Sequence, residues 1–261
     1  MTNADNASNA AKELTVASFD ALRNGEITAI VLDDVAPLNE CDKACRALRV
    51  LTEKSTYCWS ADLTILGVSV GEAHESAEAL ERYLEGSVRT VKIAREVVFD
   101  GITPVDRIVH RMLAVWQPGV RIPFLDGQPF LCQVLRRWKT GGGAHPHLDQ
   151  SCTPLLKPLG IERRFGINVY VEMPTQGGAV EFWNRRISDD EYLRLKRPDY
   201  GLDRVILGPA DLIIRPRRGQ GILFDASKPH AVETVGGEGE RITNASFFGY
   251  AGEESALYHF A

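Results

Sequence analysis

The most constraining feature of this sequence is a change of pattern after Pro118. From residue 120 to residue 250, short apolar or alternating runs are separated by glycine and proline residues. The clearest runs are 130–138, 165–172, 179–183, 211–214, 221–224 and 242–250. Short runs of this kind with frequent turn residues predict a mainly β fold, a barrel or a sandwich.

The residues before this region follow a helical pattern instead. Apolar positions recur at helical spacing in 37–53, 72–98 and 103–116, and again in a short insert at 188–196. Asn39, Thr103 and Ser188 are the predicted N-caps, and Gly86 is a candidate break in the second helix. Two short apolar stretches, 14–19 and 27–32, could each be an edge strand.

No linker separates the helical part from the β part, so we expect a single domain over residues 1–261. Its predicted parts are a flexible tail at 1–13, a helical buttress at 14–119 and a β core at 120–261. His259, close to the last residue, is expected to lie at a solvated end.

Composition narrows the function classes. The chain has 30 Lys and Arg against 35 Asp and Glu, a net charge of −5, and 44% hydrophobic residues. That content can bury a sizeable core, and the mild acidity argues against nucleic acid or a membrane surface as partner. We see no signal peptide and no apolar run of transmembrane length, so we expect a cytoplasmic protein. Its five cysteines are then expected to be reduced thiols.

The stretch that carries chemistry is Gly-Gly-Gly-Ala-His-Pro-His-Leu-Asp at residues 141–149. On an extended strand, residues two apart point to the same side, so His147 and Asp149 can hold one ion. A further histidine, His230, lies on a later predicted strand. Two histidines and a carboxylate can form the facial triad of non-haem Fe(II) oxygenases, which leaves positions open for a co-substrate and O2. His145 shares the predicted face, so it could replace His147, or both could bind as in a cupin.

Arg241 and Thr243 follow His230 across a glycine-rich turn at 236–240. The turn predicts a hairpin, which brings the two strands side by side. An arginine inside a β core is costly unless it meets an anion, and its guanidinium can hold a carboxylate through two hydrogen bonds. Thr243 shares its face and can add a hydroxyl.

The ordered set His147-x-Asp149, His230 and Arg241-x-Thr243 resembles the Fe(II)/2-oxoglutarate-dependent dioxygenases. It is most similar to small standalone bacterial enzymes that act on amino acids, their derivatives or natural products. The resemblance covers roughly residues 120–250 and implies a double-stranded β-helix, the cupin-like jelly-roll barrel, preceded by helices. The resemblance is not extended to the helical part.

Carried over to this sequence, the resemblance implies that the two histidines and Asp149 bind Fe(II). Arg241 and Thr243 would bind the distal carboxylate of 2-oxoglutarate, and O2 would be the oxidant, with succinate and CO2 as products. A polar residue on the strand before the metal motif often meets 2-oxoglutarate in this fold, and Gln133 is the candidate. Asp149 favours hydroxylation of a C–H bond over halogenation, because related halogenases have a small residue there. Desaturation and epimerisation use the same ligands and stay open.

The substrate is expected to be a small molecule, with a carboxylate as one option. In that case Arg163, of the pair Arg163 and Arg164, is the first candidate to bind it, and His145 could approach it at the mouth. The long insert 184–207 is either a lid or a homodimer contact. The alternatives are a cupin-type metal enzyme that does not use 2-oxoglutarate, a non-catalytic binding protein and a nucleic-acid demethylase.

Overall fold

The structure is a computed structural model, and it describes residues 9–51, 62–73, 76–149 and 154–261. The described chain is mainly β, with helices concentrated before residue 120. No helix in these ranges is long and apolar enough to cross a membrane. The strands are β1 (Ala10–Ala11), β2 (Ala29–Leu32), β3 (Leu63–Leu66), β4 (Val120–Arg121), β5 (Phe124–Leu125), β6 (Gln128–Pro129), β7 (Val134–Trp138), β8 (Ala144–His147), β9 (Arg163–Glu172), β10 (Val180–Phe182), β11 (Leu212–Ile214), β12 (Gly221–Asp225), β13 (His230–Val232), β14 (Arg241–Tyr250) and β15 (Leu257–Phe260).

The α-helices of the described chain other than the second begin at side-chain caps that the sequence provides. Thr103 and Asp106 form a capping box at the start of the fourth α-helix, and Ser188 caps the fifth. Satisfying the free N–H groups of the first turn in this way fixes where a helix begins. The α-helices are α1 (Val16–Asn24), α2 (Leu38–Leu51), α3 (Ala77–Ile93), α4 (Pro104–Val115), α5 (Asp189–Leu195) and α6 (Arg204–Leu207), and a π-helical turn, Ala94–Val98, follows α3.

Two sheets face each other, which is the predicted jelly-roll arrangement. In the described residues the larger sheet runs β1-β2-β12-β9-β14-β15-β4, and β7 joins it by pairing with β14 and β3. The smaller sheet runs β11-β10-β13-β8. Hydrogen bonds do not join the two sheets into a closed barrel within these residues, so the core is an open pair of sheets.

Alternation along the strands of the larger sheet sorts its side chains between two cores. On β9, Phe165, Ile167, Val169 and Val171 pack with the helices. Tyr170, one residue out of phase with them, packs against the smaller sheet. Because the side-chain period of a strand is two, the even-numbered positions from 164 to 170 face the space between the sheets, whereas Glu172, beyond a register shift, pairs with Arg49 of α2. This face is where the functional residues collect.

Several predictions about individual elements were wrong, and each has a local reason. Residues 14–19 begin a helix, because Thr15 caps it, whereas 27–32 contains β2 as predicted. Asn39 lies inside α2 and does not cap it. Helix α3 continues through Gly86 and begins only after Ser76. The expected flexible tail ends in a strand, because Ala10 and Ala11 pair with β2; residues 1–8 lie outside the described ranges.

The cysteines in the described residues are free thiols, as predicted. Cys41, Cys45 and Cys132 are free and buried. Burial raises the pKa of Cys45 to about 12 and that of Cys132 to about 11. Both groups are therefore protonated at neutral pH and unreactive. Cys58 and Cys152 lie outside the described residues.

His259 is buried rather than solvated, and this makes it a source of acid sensitivity. It is 4% exposed and packs against Phe248 on the helix side of the larger sheet. Burial lowers its pKa from 6.5 to about 4, outweighing the attraction of Asp106. The unfolded chain therefore binds a proton near pH 6.5, whereas the folded protein does not until about pH 4. Stability from this group is complete above pH 6.5 and falls as the pH drops towards 4, by about 3 kcal/mol in total.

Urea unfolding between pH 7.5 and pH 4.5 checks this expectation. The variant His259→Phe keeps an aromatic ring in the core but cannot bind a proton. The slope of the unfolding free energy against pH should therefore fall by an amount equivalent to nearly one bound proton. His110→Gln, at an exposed position on α4, is the control variant with which the slope of His259→Phe is compared. An unaltered slope in His259→Phe would contradict the expectation.

Candidate metal and co-substrate site

The smaller sheet brings the two histidines together. Strands β8 and β13 are antiparallel neighbours, and His147 lies directly opposite His230. Their ring centroids are 4.2 Å apart. Asp149 follows β8, and its backbone N–H donates to the Ala226 carbonyl at 2.9 Å. Pairing in register thus places residues that are far apart in the chain at one point.

Hydrogen bonds orient each imidazole for metal binding. Nδ1 of His147 lies 2.8 Å from the His145 carbonyl, and Nδ1 of His230 lies 3.0 Å from the Lys228 carbonyl. In each histidine Nδ1 is engaged by a backbone carbonyl, so Nε2 is the nitrogen that can bind a metal. Metal-binding histidines commonly have this arrangement. Nε2 of His230 is 3.4 Å from a carboxylate oxygen of Asp149. One potential ligand atom from each of the three residues lies within 4.8 Å of the other two.

Electrostatics favour the protonation states that bind a metal. Loss of hydration, together with the nearby His230, lowers the pKa of His147 to about 4. Loss of hydration also acts to raise the pKa of Asp149. The contacts of Asp149 with His230 and His147 outweigh it, so this pKa lies below its usual range. At neutral pH, His147 is therefore a neutral imidazole and Asp149 an anion, as ligation requires.

Arg241 and Thr243 lie in the same cavity as the three residues. The cavity holds about 390 Å³ between the sheets. Arg241 is 3% exposed, its Nε donates to the Gly178 carbonyl at 3.2 Å, and its guanidinium lies 5.1 Å from the centre of the Tyr170 ring. Thr243 is fully buried, and its hydroxyl has no hydrogen-bond partner among the described residues. A buried hydroxyl without a partner is costly, and a bound carboxylate would satisfy it.

His145 does not share the cavity with His147, although two-residue alternation predicted that it would. The pairing of β8 with β13 shifts between His147 and Ala144, which is opposite Val232. An irregularity of this kind moves the alternation by one residue. Ala144 lines the cavity in place of His145, and His145 lines a neighbouring pocket with Asp199 and Arg204.

Arg163 was the wrong member of its pair for a role at the site. It faces the helices, where it donates to the Arg23 carbonyl and lies over the rings of Phe165 and Tyr250. Arg164 is the residue that lines the cavity, at 4% exposure. The signal was present in the sequence, because the apolar odd-numbered positions from 165 to 171 assign even-numbered positions to the other face.

Gln133 also lies on the far side of the larger sheet. Its side-chain carbonyl accepts a hydrogen bond from Asn244 at 3.0 Å, and Asn244 in turn caps α4 at the N–H of Val105. The strand that was expected to supply a polar residue supplies Arg136 instead. Arg136 lies directly opposite Thr243, and its alternation with Gln133 places it on the inner face.

The insert at 184–207 forms one wall of the cavity. Lys196 and Tyr200 line it, and the Tyr200 ring lies 5.2 Å from the His147 ring. A hydrogen bond joins the insert to β8: the Leu202 N–H donates to the Pro146 carbonyl at 2.6 Å. Gly201 permits this approach, since a Cβ there would lie 2.6 Å from the same carbonyl. Sequence reasoning identified the segment but neither side chain.

Comparison with known proteins agrees with this geometry. Residues 132–249 match the family model described as the 2OG-Fe(II) oxygenase superfamily. This part of the chain is similar to that superfamily. The match includes all five residues of the ordered set, and its metal and co-substrate, Fe(II) and 2-oxoglutarate, fit the donors present here. A search of curated proteins finds no match.

Solved structures of the superfamily share the jelly-roll fold. An N-substituted L-amino acid dioxygenase from Burkholderia ambifaria AMMD is 19% identical with a TM-score of 0.61, covering 93% of this chain and 91% of that one. The complex of that enzyme with alpha-KG is 20% identical with a TM-score of 0.59, and the match covers 93% of this chain and 90% of that one. The non-heme alpha-ketoglutarate-dependent epimerase SnoN from nogalamycin biosynthesis is 12% identical with a TM-score of 0.51. This match covers 88% of this chain and 82% of that one. At these identities the likeness shows the fold alone.

Proposed function

We propose that this oxygenase is an Fe(II)- and 2-oxoglutarate-dependent hydroxylase of a small, carboxylate-bearing molecule such as an amino-acid derivative. The observation that carries the proposal is the convergence of His147, Asp149 and His230, with ligand atoms within 4.8 Å, in one cavity with Arg241 and Thr243. Two imidazoles and a carboxylate are the donor set of facial-triad iron sites.

In this proposal Arg241 and Thr243 hold the distal carboxylate of 2-oxoglutarate. Arg241 supplies the charge, and the Thr243 hydroxyl donates one hydrogen bond that it otherwise lacks. Bound Fe(II) and 2-oxoglutarate would supply the oxidising chemistry, consuming O2 and releasing succinate and CO2. The chain itself holds the triad by the Nδ1 contacts, and Phe224, 4.9 Å from the His230 ring, helps to exclude water.

Hydroxylation is favoured over halogenation because Asp149 occupies the ligand position that a halide would need. Its low pKa keeps the carboxylate charged and ready to bind the metal. The same three ligands serve desaturation and epimerisation, so product analysis decides among these outcomes. For the substrate carboxylate, Arg164 replaces Arg163 as the proposed partner, because Arg164 is the member of the pair that lines the cavity.

An anaerobic titration tests the proposal. The apo-protein is given Fe(II) and then 2-oxoglutarate, and the weak visible charge-transfer band of the chelated keto acid is followed. We expect the band, and then O2-dependent succinate formation that rises with substrates drawn from amino acids and N-acyl amino acids. Iron binding without the band would favour a cupin-type enzyme that does not use 2-oxoglutarate. Failure to bind iron would reject the metal site.

A further inference from the structure

The cavity that contains the triad has an excess of positive charge. Among its described lining residues, Asp149 is the only carboxylate, and the cations are Arg136, Arg164, Lys196 and Arg241. Under the proposed function, the two positive charges of Fe(II) balance the two negative charges of 2-oxoglutarate. The described lining therefore carries three more positive than negative side-chain charges when the substrate binds. A substrate with one carboxylate would leave most of this charge uncompensated in a partly enclosed space.

Arg136 marks one end of the cavity. It lies opposite Thr243 on β14, and Thr243 lies opposite Tyr170 on β9, so the three residues form one cross-strand row. Within the described part of the chain no carboxylate oxygen lies within 4.0 Å of Arg136. Its neighbour Arg137, on the outer face, pairs with Glu240 at 2.7 Å. The outer arginine thus has an internal counter-ion, whereas the inner one faces the cavity.

Arg164 marks the other end. It precedes Tyr170 by six positions on β9, a distance of roughly 20 Å along a strand. Its guanidinium lies 5.7 Å and 5.6 Å from the ring centres of Phe247 and Phe260. The Ala226 N–H donates to the Arg164 carbonyl, and the Ala226 carbonyl accepts from the Asp149 N–H. Arg164 is therefore built into the wall next to the metal ligand, with its position fixed by two aromatic rings.

We propose that the substrate is an elongated dicarboxylate whose two ends are bound by Arg136 and Arg164. A guanidinium recognises a carboxylate through paired N–H donors, which suits both positions. The oxidised C–H bond then lies next to the triad, towards the end that Arg164 binds. The exposed Lys196 adds positive charge at the mouth and attracts such a molecule. This inference rests on the proposed function, because it assigns Arg241 to 2-oxoglutarate.

Two isosteric pairs of probes test the inference. Suberate and its monoamide form the long pair, and N-acetylglutamate and N-acetylglutamine form the short pair. Each is added to the anaerobic protein loaded with Fe(II) and saturating 2-oxoglutarate, and the shift of the charge-transfer band and the heat of binding are measured. We expect a dicarboxylate to bind at least tenfold more tightly than its own amide, in at least one pair. Arg136→Gln and Arg164→Gln should each reduce this preference to less than about twofold.

The alternating strands provide matched controls. Arg137→Gln and Arg163→Gln remove the neighbouring arginines on the opposite face, and both should keep the preference. Equal affinity for acid and amide in both pairs, or no binding of any probe, would overturn the inference. It would also be overturned if Arg136→Gln raised the 2-oxoglutarate requirement and left the preference intact, because Arg136 would then serve the co-substrate. In all these cases the band still forms, whereas failure of the proposed function removes the band itself.

Discussion

Substitution of His230 by alanine is expected to abolish both the charge-transfer band and succinate formation. In the proposed metal site His230 supplies one of three ligand atoms, and its Nε2 also contacts Asp149 at 3.4 Å. Its loss leaves two ligands and removes the group that holds Asp149 in its charged form. Because the side chains alone offer no oxidant, turnover should fall to background, at least about 10³-fold or roughly 4 kcal/mol. Iron binding by calorimetry and succinate by chromatography measure the two losses.

His147→Ala should behave like His230→Ala, and the two neighbouring histidines serve as controls. His145→Ala should retain iron and the band, because its ring lies in the adjacent pocket. His110→Ala, on the exposed face of α4, should match the parent protein. If His145→Ala lost iron while His147→Ala kept it, the ligand assignment on β8 would be wrong.

Substitution of Arg241 by alanine is expected to raise the KM for 2-oxoglutarate by about 100-fold, with iron binding retained. A charge-assisted pair inside a protein contributes about 1.5–3 kcal/mol, and the second N–H contact adds to this. The effect should appear in KM rather than in kcat at saturating co-substrate, since this carboxylate does not react. Arg241→Lys keeps the charge but not the paired donors, so an intermediate KM is expected.

Thr243→Val provides a smaller and cleaner version of the same experiment. It preserves shape and removes the buried hydroxyl, so the KM for 2-oxoglutarate should rise about tenfold while stability is unchanged or higher. The melting temperature without co-substrate separates this from misfolding. An unaltered KM in both Arg241→Ala and Thr243→Val would mean that the co-substrate binds elsewhere in the cavity.

The parts of the site that the sequence predicted share one property, which is that regular strand pairing suffices to place them. His147 and His230 require only that two strands align, and Arg241 and Thr243 require only alternation along β14. The predicted hairpin between the strands of His230 and Arg241 was wrong, because β13 and β14 belong to different sheets. Arg164 could have been found in the same way from the phase of β9. The apolar residues at odd-numbered positions of β9 indicate that Arg164, at an even-numbered position, lies on the opposite face.

The misplaced residues depend on features that a two-residue period does not contain. His145 was misplaced because an irregularity in the pairing of β8 with β13 shifts the phase between residues 144 and 147. Gln133 was misplaced because the face of its strand is set by contact with α4 through Asn244. Tyr200 and Lys196 reach the cavity only because Gly201 lets the insert pack closely on Pro146.

By itself, the sequence determined the mainly β core and the helical layer before it, and it supplied the candidate metal and co-substrate residues. It did so because periodicity and residue chemistry are local properties that can be seen in the sequence without knowledge of the tertiary structure. Only the tertiary structure decided which member of each arginine pair faces the cavity, which histidine leaves it and which insert residues close it. Those choices depend on strand register, on a pairing irregularity and on long-range packing, each of which couples residues that the sequence keeps far apart.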